Sequence, residues 1–182
     1  NDLILLNAAD LRDPAHWADM VARHHVTLWN SVPALMQMLV EYTEGRGQPL
    51  SRDLRLVFMS GDWIPVALPQ QIRALKDDVE IISMGGATEA SIWSIIYPIG
   101  MVPPSWKSIP YGRPMVNQTF HVLSEALEPC PVWVPGQLFI GGIGLAKGYW
   151  QDSDKTRASF IEHPRTGERL YTTGDQGRYL PD

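Results

Sequence analysis

Cysteine is almost absent from this chain: of 182 residues, only Cys130 carries a thiol. A single cysteine rules out an internal disulfide and a cysteine-based zinc site, and it suits a reducing, cytoplasmic compartment. Flanked by Pro129 and Pro131, it has no activating neighbour in sequence and reads as a packed or loop thiol. No apolar run approaches the roughly 20 residues that cross a bilayer, and no charged segment precedes an apolar core at the N-terminus. Neither a membrane partner nor a signal peptide is therefore expected. Runs of Lys and Arg are missing as well. The formal charge of −5 is spread along the chain, which argues against nucleic acid as a partner. There is no internal repeat and no low-complexity tract. The adjacent His24 and His25 cannot face one ligand together from a helix end, so they do not read as a metal site.

What is present is enough apolar material for a core, with 45% hydrophobic residues and seven Trp, none of them in a basic stripe. Asn1 leads directly into Leu3-Ile4-Leu5-Leu6, which reads as a strand, and the chain reads as part of something longer. Asp13-Pro14 is a helix start, a capping carboxylate followed by proline where its missing N–H costs nothing. Trp17, Met20, Val21 and His24 then form one face. Val26 to Trp29 reads as a strand, and Pro33 opens a helix with the face Leu35, Met38, Leu39 and Tyr42. A loop over residues 44–52 leads to a strand over Leu54 to Met59. A helix through Leu68, Ile72 and Leu75 and a strand over Val79 to Ser83 follow.

Strand and helix alternate, which is the pattern of an α/β fold with a parallel sheet and crossover helices. From Pro103-Pro104 onward the pattern changes to short β-rich runs over Phe120–Leu123, Val132–Val134, Gln137–Ile140 and Arg169–Thr172. Turns at Pro135-Gly136 and Thr173-Gly174-Asp175 are expected between them. The expected organisation is an α/β subdomain over residues 1–104 followed by a smaller β-rich subdomain over 105–182. Ligands of parallel sheets bind beyond the carboxyl ends of the strands. Those ends are Asn30, Ser60-Gly61-Asp62 and Met84-Gly85-Gly86.

The last of these ends continues as Ser83-Met84-Gly85-Gly86-Ala87-Thr88-Glu89-Ala90-Ser91. Two glycines admit a ligand close to the backbone, a threonine hydroxyl can bond a phosphate oxygen, and a glutamate can hold a hard cation. On its own the segment reads first as an ordinary turn. Four segments taken in order resemble the adenylate-forming superfamily, and specifically the adenylation domains of nonribosomal peptide synthetases. Gly85-Gly86-Ala87-Thr88-Glu89 is similar to the family's aromatic-Gly-Pro-Thr-Glu motif. Ile109 to Pro114 resembles the stretch that precedes the β-rich part. Gly136-Gln137-Leu138-Phe139-Ile140-Gly141-Gly142 with Gly144-Leu145-Ala146-Lys147-Gly148-Tyr149 is similar to Gly-Glu-Leu…Gly-Gly…Leu-Ala-Arg-Gly-Tyr. Tyr171-Thr172-Thr173-Gly174-Asp175 matches Tyr-x-Thr-Gly-Asp.

The resemblance implies the large N-terminal lobe of an adenylate-forming enzyme and a reaction in which an amino-acid carboxylate attacks the α-phosphorus of ATP. The aminoacyl-adenylate is then captured by the phosphopantetheine thiol of a peptidyl carrier domain, alongside other synthetase domains. It implies Thr88 at the α-phosphate, Glu89 on Mg²⁺, and Asp175 on the ribose hydroxyls. Gly61, Asp62, Gly85, Gly86 and Ala87 would line the adenine slot. Gly85 stands where an adenine-stacking aromatic is usual, Gln137 where Glu is usual, and Lys147 where Arg is usual. The selectivity positions correspond to Asn30, Phe58, Ser60, Met84, Ile92 and Trp93. That set suits a small, weakly polar side chain and resembles pockets that activate L-cysteine. Asn30 and Trp93 are the stronger candidates, because a buried amide or indole N–H needs a partner. Taken singly, Phe58, Met84 and Ile92 read as core residues before pocket residues.

Two alternatives stay open, an acyl-CoA or aryl-acid ligase of the same superfamily and a non-catalytic scaffold. The resemblance covers only the middle of an adenylation domain. The upstream phosphate loop, the aspartate for the substrate amino group and the C-terminal lobe with its lysine have no counterpart in these 182 residues. The isolated 182-residue chain is therefore expected to show no amino-acid-dependent ATP–pyrophosphate exchange, and measurable exchange would refute this.

Overall fold

The computed structural model describes residues 2–4 and 10–181. Of the expected N-terminal strand, Leu5 and Leu6 lie outside the described residues, and Leu3 and Ile4 are not in a strand. Packing divides the chain into two compact units, Asn1–Met84 with Tyr97–Tyr111, and Gly85–Ile96 with Gly112–Asp182. Residues 85–96 thus pack with the second unit, whereas a cut at residue 104 leaves them with the first.

In the first unit, helix α1 (Pro14–Arg23) starts where Asp13 accepts the Ala15 N–H at 2.9 Å. Its inner face is Trp17 and Val21. The Trp17 indole N–H donates to the Asp10 carbonyl at 2.9 Å, and its ring packs tilted on Trp29 with centroids 6.1 Å apart. Strand β1 (Leu28–Ser31), helix α2 (Pro33–Gly45), strand β2 (Leu56–Ser60), helix α3 (Leu68–Leu75) and strand β3 (Glu80–Gly85) follow in the expected alternation. β1, β2 and β3 are parallel, with Trp29 beside Val57 and Val57 beside Ile81. Their carboxyl ends therefore point the same way. The core gathers Trp17, Met36, Leu39, Val57, Met59 and Ile72 among others.

On α2 the buried face differs from the expected one. Met36, Leu39, Val40 and Thr43 are buried, while Leu35 and Met38 pack only at its margin. The helix is apolar on several sides, so spacing alone did not choose between adjacent stripes. The Thr43 hydroxyl is satisfied by donating to the Leu39 carbonyl at 2.7 Å, which allows a polar residue to lie inside.

Strand β4 (Ile95–Pro98) and the short antiparallel β5 (Arg113–Pro114) complete a five-stranded sheet in the order β1-β2-β3-β4-β5. The second unit is built on a four-stranded antiparallel sheet of order β6-β7-β9-β8. Its strands are β6 (Gln118–Leu123), β7 (Gly136–Gly142), β8 (Phe160–Glu162) and β9 (Arg169–Gly177), with helix α4 (Ser153–Ser159) between β7 and β8. Asp152 caps α4 by accepting the Lys155 N–H at 2.9 Å.

Two expectations in this half are corrected. Residues 132–134 are a turn and not a strand, with Trp133 at φ 69° and Val134 N–H donating to the Pro131 carbonyl. Three consecutive apolar residues favour β, but Pro131 and Pro135 close on either side. Thr173-Gly174-Asp175 is not a hairpin turn. It lies inside β9, where the pairing with β7 shifts register between Gln137 and Phe139. Gly174 takes φ 82° and the Thr173 hydroxyl donates to the Leu138 carbonyl at 2.9 Å, a bulge that interrupts the ladder without ending it.

Ile72 is fully buried in the first unit. Ile72→Ala is expected to cost about 2–5 kcal/mol and Asp13→Ala about 1 kcal/mol, read by urea denaturation with tryptophan fluorescence.

Candidate functional site

The residues singled out from sequence fall into both units, and each group is described by itself. In the first unit, Asn30 lies beside Phe58 and Ser60 beside Met84 in the parallel register. Phe58 and Ser60 are two apart on β2, so these four residues share one face of the sheet. The opposite face carries Val57, Met59 and Ile81 and is buried. Phe58 and Ser60 are half-buried, Met84 is buried, and Asn30 is exposed and not the buried amide expected. Gly61 turns the chain out of β2 at φ 84°, and the exposed Asp62 accepts the Trp63 N–H at 2.7 Å.

In the second unit the segment after β3 winds tightly. Gly86 has φ 144°, and a Cβ there would lie 2.6 Å from the Ile92 carbonyl oxygen and 2.8 Å from the Ser94 nitrogen. Only glycine fits that approach. Thr88–Ala90 form a single 3₁₀ turn, with the Ala90 and Ile92 N–H groups both donating to the Ala87 carbonyl. Ser91 and Ile92 then adopt φ of 62° and 70°, an uncommon conformation for residues with a side chain. Two bonds hold it. The Ser91 hydroxyl donates to the Gly144 carbonyl at 2.7 Å, and the fully buried Ser94 donates to the Ala90 carbonyl at 2.7 Å. Thr88 and Ile92 are exposed and Trp93 is half-buried.

This turn presents Glu89 to two tyrosines. The Tyr149 hydroxyl donates to Glu89 Oε1 at 2.6 Å, and the Tyr171 phenol lies near the same carboxylate. The backbone is tied as well, since the Ala146 N–H donates to the Glu89 carbonyl at 2.7 Å. Glu89 is consequently more acidic than an ordinary glutamate. The Tyr149 hydrogen bond is the largest cause, opposed by burial and helped by Tyr171 and the Lys155 charge. Burial pushes the Tyr171 phenol up, and the neighbouring Tyr149 hydroxyl and Glu89 carboxylate push it the same way.

The loop carrying Tyr149 is itself over-determined. Gly148 has φ 151°, and a Cβ there would lie 2.5 Å from a Thr156 methyl. The Tyr149 N–H donates to the Thr156 hydroxyl at 2.9 Å, and Arg169 binds the carbonyls of Ala146 and Lys147 at 2.8 and 2.9 Å. Phe160 packs against both tyrosine rings, with centroids 5.9 Å from Tyr149 and 5.2 Å from Tyr171. Asp175 is exposed on the bulged part of β9, and its N–H donates to the Thr173 hydroxyl at 3.0 Å. Cys130 is buried and its thiol is free, 3.8 Å from the Pro135 carbonyl.

Among the described residues no group of three or more His, Cys, Asp or Glu is arranged to hold a metal by itself. A single anionic carboxylate nevertheless fits Mg²⁺ in the form that ion usually takes beside nucleotides, with one protein oxygen and the remainder from phosphates and water.

A family model described as AMP-binding enzyme matches residues 2–150. The chain belongs to the AMP-binding enzyme family. It is 48% identical over 180 residues to pyochelin synthetase PchF of Pseudomonas aeruginosa, covering 99% of this chain and 10% of that protein. It is 48% identical over 169 residues to bacitracin synthase 1 of Bacillus licheniformis, covering 92% of this chain and 3% of that protein. The nonribosomal peptide synthetase FmoA3, solved bound to α-methyl-L-serine-AMP, superposes with a TM-score of 0.90 at 44% identity, over 93% of this chain and 19% of FmoA3. The chain thus spans a small part of the length of its relatives. As an AMP-binding enzyme chain, it carries the fold expected from the four motifs.

Tyr149, Tyr171 and Lys155 received no role from the sequence. Both tyrosines stand inside recognised motifs, next to Gly148 and at the start of Tyr-Thr-Thr-Gly-Asp, but only the fold shows that the Tyr149 hydroxyl bonds Glu89 with the Tyr171 phenol nearby.

Because the fold depresses the Glu89 pKa, its contribution to stability is complete above the ordinary value of 4.5 and is lost as pH falls through the lower folded value. Wild type is expected to be more stable than Glu89→Gln at neutral pH, with the gap closing below pH 4.5. Denaturant midpoints across the acid range check the sign.

Proposed function

We propose that the chain serves amino-acid activation in nonribosomal peptide synthesis, forming an aminoacyl-adenylate from ATP and delivering it to the phosphopantetheine thiol of a peptidyl carrier domain. The observation that carries this reading is the Glu89 carboxylate, kept anionic by hydroxyl donors within a motif that the family uses at the nucleotide. Similarity to two peptide synthetases over more than nine-tenths of the chain supports it.

In this reading Glu89 holds Mg²⁺, and when bound the ion supplies positive charge against the phosphates. The Thr88 hydroxyl contacts the α-phosphate oxygen. Asp175 accepts from the ribose hydroxyls, and Gly61, Asp62, Gly85, Gly86 and Ala87 line the adenine. Glycine at 85 offers no ring to stack on, so the adenine rests on backbone. None of these groups forms a bond to substrate. Their contribution is to orient the carboxylate for attack and to meet charge as it develops at phosphorus.

For the amino acid, Asn30, Phe58, Ser60, Met84, Ile92 and Trp93 contact the side chain and favour a small, weakly polar group, with L-cysteine the preferred substrate. The α-methyl-L-serine-AMP bound by FmoA3 carries a side chain of similar size, which supports the size class. The single cysteine fits work in the cytoplasm, beside the other synthetase domains. No helix among the described residues is long and apolar enough to cross a membrane.

An ATP–pyrophosphate exchange panel over amino, fatty and aryl acids with the intact protein tests this. Cysteine is expected to give the highest exchange, and Glu89→Gln to lower it by about 10²-fold or more. Turnover of a large or charged amino acid without cysteine overturns the pocket reading, and turnover of fatty or aryl acids alone overturns amino-acid activation. Exchange that survives in Glu89→Gln removes Glu89 from the metal.

A further inference from the structure

The second unit spends much of its detail on the aim of one carboxylate. Glu89 Oε1 accepts the Tyr149 hydroxyl at 2.6 Å, a length typical of a charge-assisted bond, and the Tyr171 phenol stands beside the same group. An ionised carboxylate offers about four acceptor positions, so two phenols leave room for a cation.

The chemical type of the donors matters. A lysine or arginine in these places would neutralise Glu89 and repel a divalent ion, whereas a neutral hydroxyl fixes direction and leaves the negative charge available. The Lys155 ammonium, whose charge Glu89 feels, packs on the Tyr149 ring as a cation–π contact, Nζ 4.1 Å from the ring centroid. Behind the phenols the support is rigid. Phe160 contacts both rings, and the Arg169 guanidinium covers Phe160 at 4.4 Å while bonding the carbonyls of Ala146 and Lys147. Gly148 and Thr156 fix the start of the Tyr149 backbone.

We propose that Tyr149 and Tyr171 are positioning residues that aim the Glu89 carboxylate at the divalent cation of the nucleotide. The inference rests on the reading of Glu89 as a Mg²⁺ ligand. It adds that the metal dependence of the enzyme is set by two phenol hydroxyls that need touch neither substrate nor metal. Removing either hydroxyl leaves the carboxylate free to rotate, so the cation binds less well while the amino-acid side of the reaction is unaffected.

Three variants of the intact protein, Tyr149→Phe, Tyr171→Phe and Glu89→Gln, separate the possibilities. Two readouts are taken: the Mg²⁺ concentration giving half-maximal pyrophosphate exchange, and Mn²⁺ affinity in the presence of the non-hydrolysable analogue AMPPNP, measured by electron paramagnetic resonance without turnover. Each Tyr→Phe variant is expected to need about tenfold more Mg²⁺ and to bind Mn²⁺ about tenfold more weakly, the scale of one hydrogen bond to a charged group. KM for the amino acid should stay within about twofold. Wild-type Mg²⁺ and Mn²⁺ dependence in both tyrosine variants, with Glu89→Gln inactive, overturns the positioning role and leaves Glu89 as the ligand. A lowered melting temperature with unchanged metal dependence likewise overturns it, since a merely structural tyrosine behaves that way. Wild-type metal dependence in Glu89→Gln defeats the underlying reading instead. If Tyr171→Phe does not fold, Tyr149→Phe decides alone.

Discussion

The hydrogen bond from Tyr149 to Glu89 joins two segments 60 residues apart in the chain, and the features that surround it in the second unit have few other purposes. The 3₁₀ turn and the two left-handed residues after it bring Glu89 out of the end of β3. The glycine-rich loop after β7 brings Tyr149 to meet it, and β9 contributes Tyr171. Each of these segments carries an uncommon backbone conformation. Strain of that kind persists only where surrounding contacts over-determine it. The contacts here are specific: Ser91 to Gly144, Ala146 to Glu89, and Arg169 to two carbonyls of the Tyr149 loop. The motifs that look like separate signatures in sequence are therefore one hydrogen-bonded assembly.

The first unit answers to a different constraint. Three parallel strands with covering helices bury one face of the sheet, through Val57, Met59 and Ile81. On the other face, at the carboxyl ends, stand Asn30, Phe58, Ser60 and Met84. The hydrophobic effect holds the first face and leaves the chemistry of the second free to vary. That separation leaves the residues of the open face free to differ without cost to the core.

The alternation of strand and helix through residue 83 was legible because periodicity and capping act locally. Asp13-Pro14 starts α1, and Pro33 starts α2. What spacing could not decide was set by tertiary packing. Helix α2 buries Met36 and Val40 and not Leu35 and Met38, although all four are apolar. Thr-Gly-Asp has the composition of a turn but lies within a strand, because a bulge accepts the same left-handed glycine that a turn does. The prolines around residues 132–134 outweighed β propensity there. In the candidate site, Glu89 could be named from its motif. Its tyrosine partners could not, since convergence of side chains from three distant segments has no signature in the spacing of any one of them.

The central claim is that the second unit presents Glu89, oriented by phenol hydroxyls, as the protein oxygen for the nucleotide's divalent ion. A crystal structure of the intact protein with Mn²⁺ and AMPPNP, with the metal located by anomalous scattering, tests it most directly. The account predicts Mn²⁺ at about 2.1 Å from a Glu89 carboxylate oxygen, with the Tyr149 hydroxyl still bonded to the carboxylate. Mn²⁺ bound only by phosphates and water, with Glu89 turned away, would contradict it.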